Sequence, residues 1–142
     1  MSQNNEIVEA CRLAFSGFEK NDKSKLLPLL TDDVVFEFPT SLPYGGRYKG
    51  VAEFKEFWND LYENYYEHFN YDALDVLDAG SHVIVPVVAR ALAKNGKSME
   101  NQHCFLFKVE NGRVVYGRIY ADTAKGRDVL EGMKIHPSRA SA

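Results

Sequence analysis

Cysteine is scarce in this chain, dense basic charge is missing, and no long apolar run occurs; each absence excludes something. Two of the 142 residues are cysteine, Cys11 and Cys104. They stand far apart in apolar patterns, so no disulfide framework is in view. The expectation is a pair of reduced core thiols in a cytoplasmic protein. Formal net charge is −3, and no stretch packs Lys and Arg together, which argues against nucleic acid or an acidic membrane surface as partner. No run approaches the roughly 18 apolar residues of a membrane-spanning helix. The opening MSQNNEIVEA is polar and unlike a secretory leader. His68, His82 and His136 show no ligand spacing, and no His/Cys/Asp cluster suggests a metal. There is no phosphate-cradling glycine loop and no dinucleotide fingerprint, so no cofactor is implied.

What is present is globular: 45% hydrophobic and 13% aromatic residues, with no linker, low-complexity segment or repeat. One domain over residues 1–142 is expected. Ile7, Ala10, Cys11, Ala14, Phe15 and Phe18 recur at helical spacing. KNDKSKLLPLL reads as a turn and short helix, DDVVFEFP as a strand ended by Pro39, and TSLPYGGRYKG as a loop that can hold a short strand. Val51, Phe54, Trp58, Leu61, Tyr62 and Tyr65 form a second helical stripe. The rest reads as strands, closing on TAKGRDVLEGMKI as a last short helix. Asn95-Gly96 and Asn111-Gly112 each lie between strand-like runs, a strong hairpin signal. Helices first and a meander of strands afterwards predict an α+β fold, helices packed on one face of a curved sheet.

If each Asn-Gly is a two-residue loop, counting outward sets the register. Arg90, Asn101 and Asp122 then form one cross-strand row, Val88, His103 and Tyr120 the next, and Pro86, Phe105 and Arg118 the third. Polar and aromatic groups would share one face. The opposite face would carry Val85, Val87, Ala89, Cys104, Leu106, Val115, Ile119 and Ala121, apolar throughout. One helical layer covers only one face, so the outer face is expected to meet a second copy in a homodimer. Pro86 inside a central strand suggests a bulge there.

The opening helix, NDKSKLLPLLTDDVVFEFP, YGGRYKG before a long helix, and the closing FKVENGRVVYGRIYADT together resemble the nuclear transport factor 2-like superfamily, in its SnoaL-like and ketosteroid-isomerase-like branch. The resemblance covers nearly the whole chain. It implies a cone-shaped α+β domain, N-terminal helices on a strongly curved, mostly antiparallel sheet enclosing a pocket. Its members include isomerases, polyketide cyclases, dehydratases, hydrolases and proteins with no catalysis. The general-base Asp of the steroid isomerases falls on Phe38 here and their oxyanion Tyr near Ala14, so both are absent. Their oxyanion Asp falls on His103. The terminal acid of SnoaL-like cyclases resembles Asp122, and the usual Glu of their Arg-Glu-Tyr ending is Ile119.

The expected function is therefore cofactor-free acid/base chemistry on a small, mostly apolar, carbonyl-bearing molecule, leading to isomerisation, cyclisation or dehydration. Asp122 would move the proton, and His103, with Tyr120, would hold the developing oxyanion. Arg90, Arg118, Asn101, Tyr44, Tyr48, Phe105, Trp58 and Phe38 would line the substrate site. Each has a structural alternative: Asp122 as a helix cap, His103 as a satisfied core histidine, the arginines as partners of nearby carboxylates, the aromatics as core or rim packing. A non-catalytic small-molecule binder and a dimeric association module with a vestigial pocket are the rival functions.

Overall fold

Apolar residues recur at two periods along the chain, and the elements follow them. The computed structural model describes residues 4–131; His136 and the end of the closing segment lie outside them. Helix α1, Asn5–Phe15, buries Ile7, Ala10, Cys11, Ala14 and Phe15 along one stripe. It stops where Gly17 takes a φ of 75°, the left-handed position that favours glycine after a helix. Helix α2, Gly50–Asp60, widens into a π-helical turn over Leu61–Tyr65. Phe57 joins Phe54, Trp58, Leu61 and Tyr65 in its buried stripe, whereas Tyr62 is exposed and its hydroxyl donates to the Phe69 carbonyl at 2.8 Å.

Seven strands follow the period of two: β1 Leu30–Phe38, β2 Gly46–Lys49, β3 Tyr66–Ala73, β4 Leu77–Asp78, β5 His82–Ala93, β6 Ser98–Glu110 and β7 Arg113–Ala121. They form one sheet in the order β2-β1-β7-β6-β5-β3, with β4 also pairing to β5. Among the described residues only the β1–β7 pair is parallel. Helix α1 packs on β3 and β5, α2 on β1 and β2, and α3, Thr123–Val129, on β6. This is the expected α+β fold, helices on a large, curved, mostly antiparallel sheet. Stacked rings close the core: Phe38 on Phe57 at 3.7 Å, Phe36 on Phe54 at 4.2 Å and Phe15 on Phe105 at 4.3 Å between centroids.

Turn counting fails by one residue at each hairpin. At Asn111-Gly112 the loop is the expected two-residue turn, with φ values of 52° and 73°, and Glu110 faces Arg113. A bulge then intervenes: Val109 pairs with Val114 but Lys108 with Tyr116, leaving Val115 extra. The core demands it. Val114 is fully buried, and Gly117 must lie under Phe36, whose Cε1 would come within 2.4 Å of any Cβ there; their positions have opposite parity. At Asn95-Gly96 the loop has three residues, because Ala93 N bonds Lys97 O and Gly96 N bonds Ala93 O, with only Gly96 left-handed at 88°.

Since side chains alternate, a one-residue slip moves a whole strand's set to the other face. His103 faces Val87 and Ala121, and Arg90 faces Glu100. Asn101, His103 and Phe105 do point inward, but with Val85, Val87, Ala89 and Ile119, which were expected outside and are buried in the core. Arg90, Arg118 and Tyr120, expected beside His103, are exposed on the outer face. That face carries half-buried Ile84, Pro86, Val88, Cys104 and Leu106. No bulge occurs at Pro86, which pairs in register with Cys104. Its carbonyl accepts from Leu74 N, so its missing N–H faces the gap between β3 and β4, where nothing needs it.

Candidate functional site

His103 sits at the middle of the concave face, 9% exposed. Its ring centroid lies 5.8 Å from those of both Phe69 and Tyr71, and its Nδ1 has no hydrogen-bond partner among the described residues. Burial pushes its pKa down to about 4, so the imidazole is uncharged at neutral pH. It lines a small, partly closed cavity of about 20 Å³ with Phe38, Leu42, Tyr44, Phe57, Tyr71 and Ile119 among the walls. That is room for about one water. The Tyr44 and Tyr66 hydroxyls lie 3.0 Å apart. Burial raises both pKa values, that of Tyr66 to about 12, so both are neutral. Tyr44 lines the cavity and Tyr66 stands behind it, so the uncharged His103 ring faces an apolar and phenolic surround, which suits holding a carbonyl oxygen and the negative charge that grows on it.

A second, open pocket of about 370 Å³ adjoins it and shares Phe38, Pro39, Ile119 and Ala121. Its outer side is formed by Glu37, Arg47, Arg118 and Tyr120.

The other candidates scatter. Phe38 and Tyr44 line the inner cavity. Tyr48 is buried beside it, donating to the Tyr44 carbonyl at 2.8 Å. Phe105 lies deeper, between Phe15 and Phe107. Trp58 is buried against Tyr71, its Nε1 without a partner among the described residues and Lys23 Nζ 4.1 Å over its ring. Asn101 is buried and donates to the Asp122 carbonyl at 3.0 Å. Arg90 pairs with Glu100 at 3.5 Å and stands over Phe18, remote from the cavity on the outer face. Tyr120 and Arg118 lie at the open pocket, not against His103.

Asp122 is exposed and serves as the N-cap of α3, accepting from Lys125 N at 3.3 Å. Asp122→Asn should leave stability unchanged, since Asn caps equally well, and Asp122→Ala should lower it by about 1 kcal/mol in chemical denaturation. Equal loss in both variants would show a role beyond the cap.

The sequence reading missed Phe57, Phe69, Tyr71 and Leu42 as cavity walls. Phe69 and Tyr71 were visible as an i, i+2 aromatic pair in HFNYDA, one face of a strand. Leu42 carried no signal, because its place depends on a turn closed by Leu42 N to Pro39 O and Gly45 N to Leu42 O.

Residues 12–117 match the family model of the SnoaL-like domain. Among solved structures, the chain resembles an NTF2-like protein of unknown function from Burkholderia pseudomallei, with 24% identity over 93% of this chain and 100% of that one and a TM-score of 0.79. TerC, co-crystallised with polyporic acid, is 19% identical over 92% and 100%, TM-score 0.77. A protein with a ketosteroid isomerase-like fold from Catenulispora acidiphila, in complex with trimethylamine, is 15% identical over 92% and 95%, TM-score 0.71. At these identities the likeness establishes the fold. No curated protein matches the chain.

Proposed function

The chain belongs to the SnoaL-like family, and on that premise we propose that it is one such domain over residues 1–142, acting without a cofactor on a small, flat, mostly apolar molecule that carries a carbonyl. One observation carries the reading. His103 is buried and uncharged, with a ring nitrogen left unpartnered among the described residues, in an otherwise apolar and phenolic cavity. A buried polar atom without a partner costs about 1–3 kcal/mol, a cost that a ligand oxygen, or a water where no ligand is bound, removes. A ligand oxygen supplies the missing partner. His103 then donates its ring N–H to the carbonyl oxygen and holds the negative charge that grows there, while the proton beside the carbonyl passes to water, which returns one from solvent. Asp122, exposed and capping α3, has no part in this scheme.

The test uses 2-tetralone, whose protons beside the carbonyl exchange in heavy water. Proton NMR should show exchange accelerated by the chain and slowed in His103→Asn, with Asp122→Asn like wild type. The absence of a carboxylate in the cavity lining favours a second reading, a binder without turnover. Saturable shifts of the His103 signals without accelerated exchange would establish it, and no shift at all would overturn both.

We further propose a cytoplasmic homodimer, its two sheets meeting through Ile84, Pro86, Val88, Cys104 and Leu106. These replace the outward set expected from turn counting and are equally in want of cover. Sedimentation at micromolar concentration should give about 32 kDa, twice the chain mass of 16.1 kDa; a monomer would refute it.

A further inference from the structure

Between β1 and β7 the sheet comes apart. Their parallel ladder runs through Val35–Tyr116, Phe36–Gly117 and Glu37–Arg118 and ends there. β1 turns away at Pro39, while β7 continues to Ala121 against β6. The notch left between them is the open pocket, about 370 Å³, which shares Phe38, Pro39, Ile119 and Ala121 with the His103 cavity.

Its outer rim is charged in an unbalanced way. Glu37 faces Arg47 on one side and Arg118 on the other, so two guanidinium chains flank one carboxylate in a single cross-strand row. Arg118 Nη1 lies 3.3 Å from Glu37 Oε2, with the Arg118 side chain 49% exposed. The Tyr116 hydroxyl donates to the same oxygen. Among the described residues Arg47 makes no ion pair. One positive charge is therefore in excess at the mouth of an apolar cavity. The exposed Arg118–Glu37 pair is weak in water, and Glu37 keeps its bond from Tyr116 when Arg118 turns away. An incoming anion can take the guanidinium at little cost.

We propose that this notch is the entrance to the cavity and the seat of an anionic group. The ligand is then a flat apolar acid, its carboxylate held by Arg118 and Arg47 and its body directed toward His103. Arginine suits the role because its planar fork matches a carboxylate with two parallel bonds. The inference rests on the reading of the His103 cavity as the ligand site.

The probes are 2-naphthoate and 2-naphthamide, which share a ring system and differ by a charge, titrated into the full chain by NMR at millimolar concentration. Naphthoate should bind roughly 10-fold tighter, as a charge-assisted pair implies, and high salt should narrow the gap. Arg47→Gln combined with Arg118→Gln, with folding verified by thermal melting, should bring the ratio to about one. Equal affinity in wild type, a preference that survives the double substitution, or binding of neither probe overturns the proposal. Naphthamide that shifts the His103 signals while the charge preference is missing would sink the anionic seat and leave the cavity reading standing. An arginine-dependent preference with His103 signals unmoved would do the reverse.

Discussion

Between pH 7 and pH 4 the chain should lose about 3 kcal/mol of stability that a His103→Asn variant keeps. The free imidazole of an unfolded chain titrates near the ordinary 6.5, whereas burial holds the folded one at about 4. Across that window the unfolded state binds the proton and the folded state resists it. Stability is therefore full above 6.5 and drains away as pH falls toward 4. The direction is that of a base kept neutral by burial, opposite to a histidine that gains a carboxylate partner. Urea unfolding at several pH values measures it, and taking the difference from the variant cancels the acidic groups that titrate in both. Parallel curves would mean that bulk solvent reaches the ring, and the case for His103 as a buried, uncharged donor would fall with them.

Gly45→Ala should be about as damaging, about 3 kcal/mol or more. A Cβ at Gly45 would stand 1.7 Å from the Pro39 carbonyl oxygen and 2.9 Å from Thr40 Cα. Both are backbone, which cannot rotate aside as a side chain does, so the cost exceeds ordinary overpacking. The whole Pro39–Gly45 turn must shift. That withdraws Leu42 from its seat against Gly126, where Leu42 Cδ2 lies 2.7 Å from the place of a Cβ, and takes Tyr44 from Tyr66. Gly96 is the contrast: its φ is 88° but nothing lies within 4 Å, so Gly96→Asn should be mild in the same assay. A Gly45→Ala variant that unfolds with wild type would show that the turn is not held as described.

The elements were legible because burial repeats with a period, and the faces were misjudged where that period was set aside for turn counting. Ile7 to Phe15 announce α1 by spacing alone, and Asn111-Gly112 behaves as its dipeptide predicts. Asn95-Gly96 has the same letters, yet its loop is longer. Asn95 Nδ2 reaches the Val129 carbonyl at 2.9 Å and its Oδ1 accepts from Lys97 N, so a contact with α3 overrides the local preference. The bulge at Val115 answers to Val114 and Phe36, residues no local reading connects. Ile119 between Arg118 and Tyr120 did carry the correct face in plain alternation, inward between two outward polar residues. His103 was legible as an oddity in an apolar strand. Its partners on β3 were not, since nothing in the sequence says which strand closes over it.

The one parallel ladder has a consequence in time. β1 is made well before β7, yet Leu30 pairs with Val114 and Glu37 with Arg118. During synthesis β1 can join only β2 until the rest of the sheet has emerged, so closing this seam is the most non-local step in folding and is expected to be the slowest. The charged notch lies along that same seam. The notch is therefore complete only once β1 and β7 have met, and opening of this one seam is expected to remove it while the β5–β6 and β6–β7 hairpins, which are local, remain.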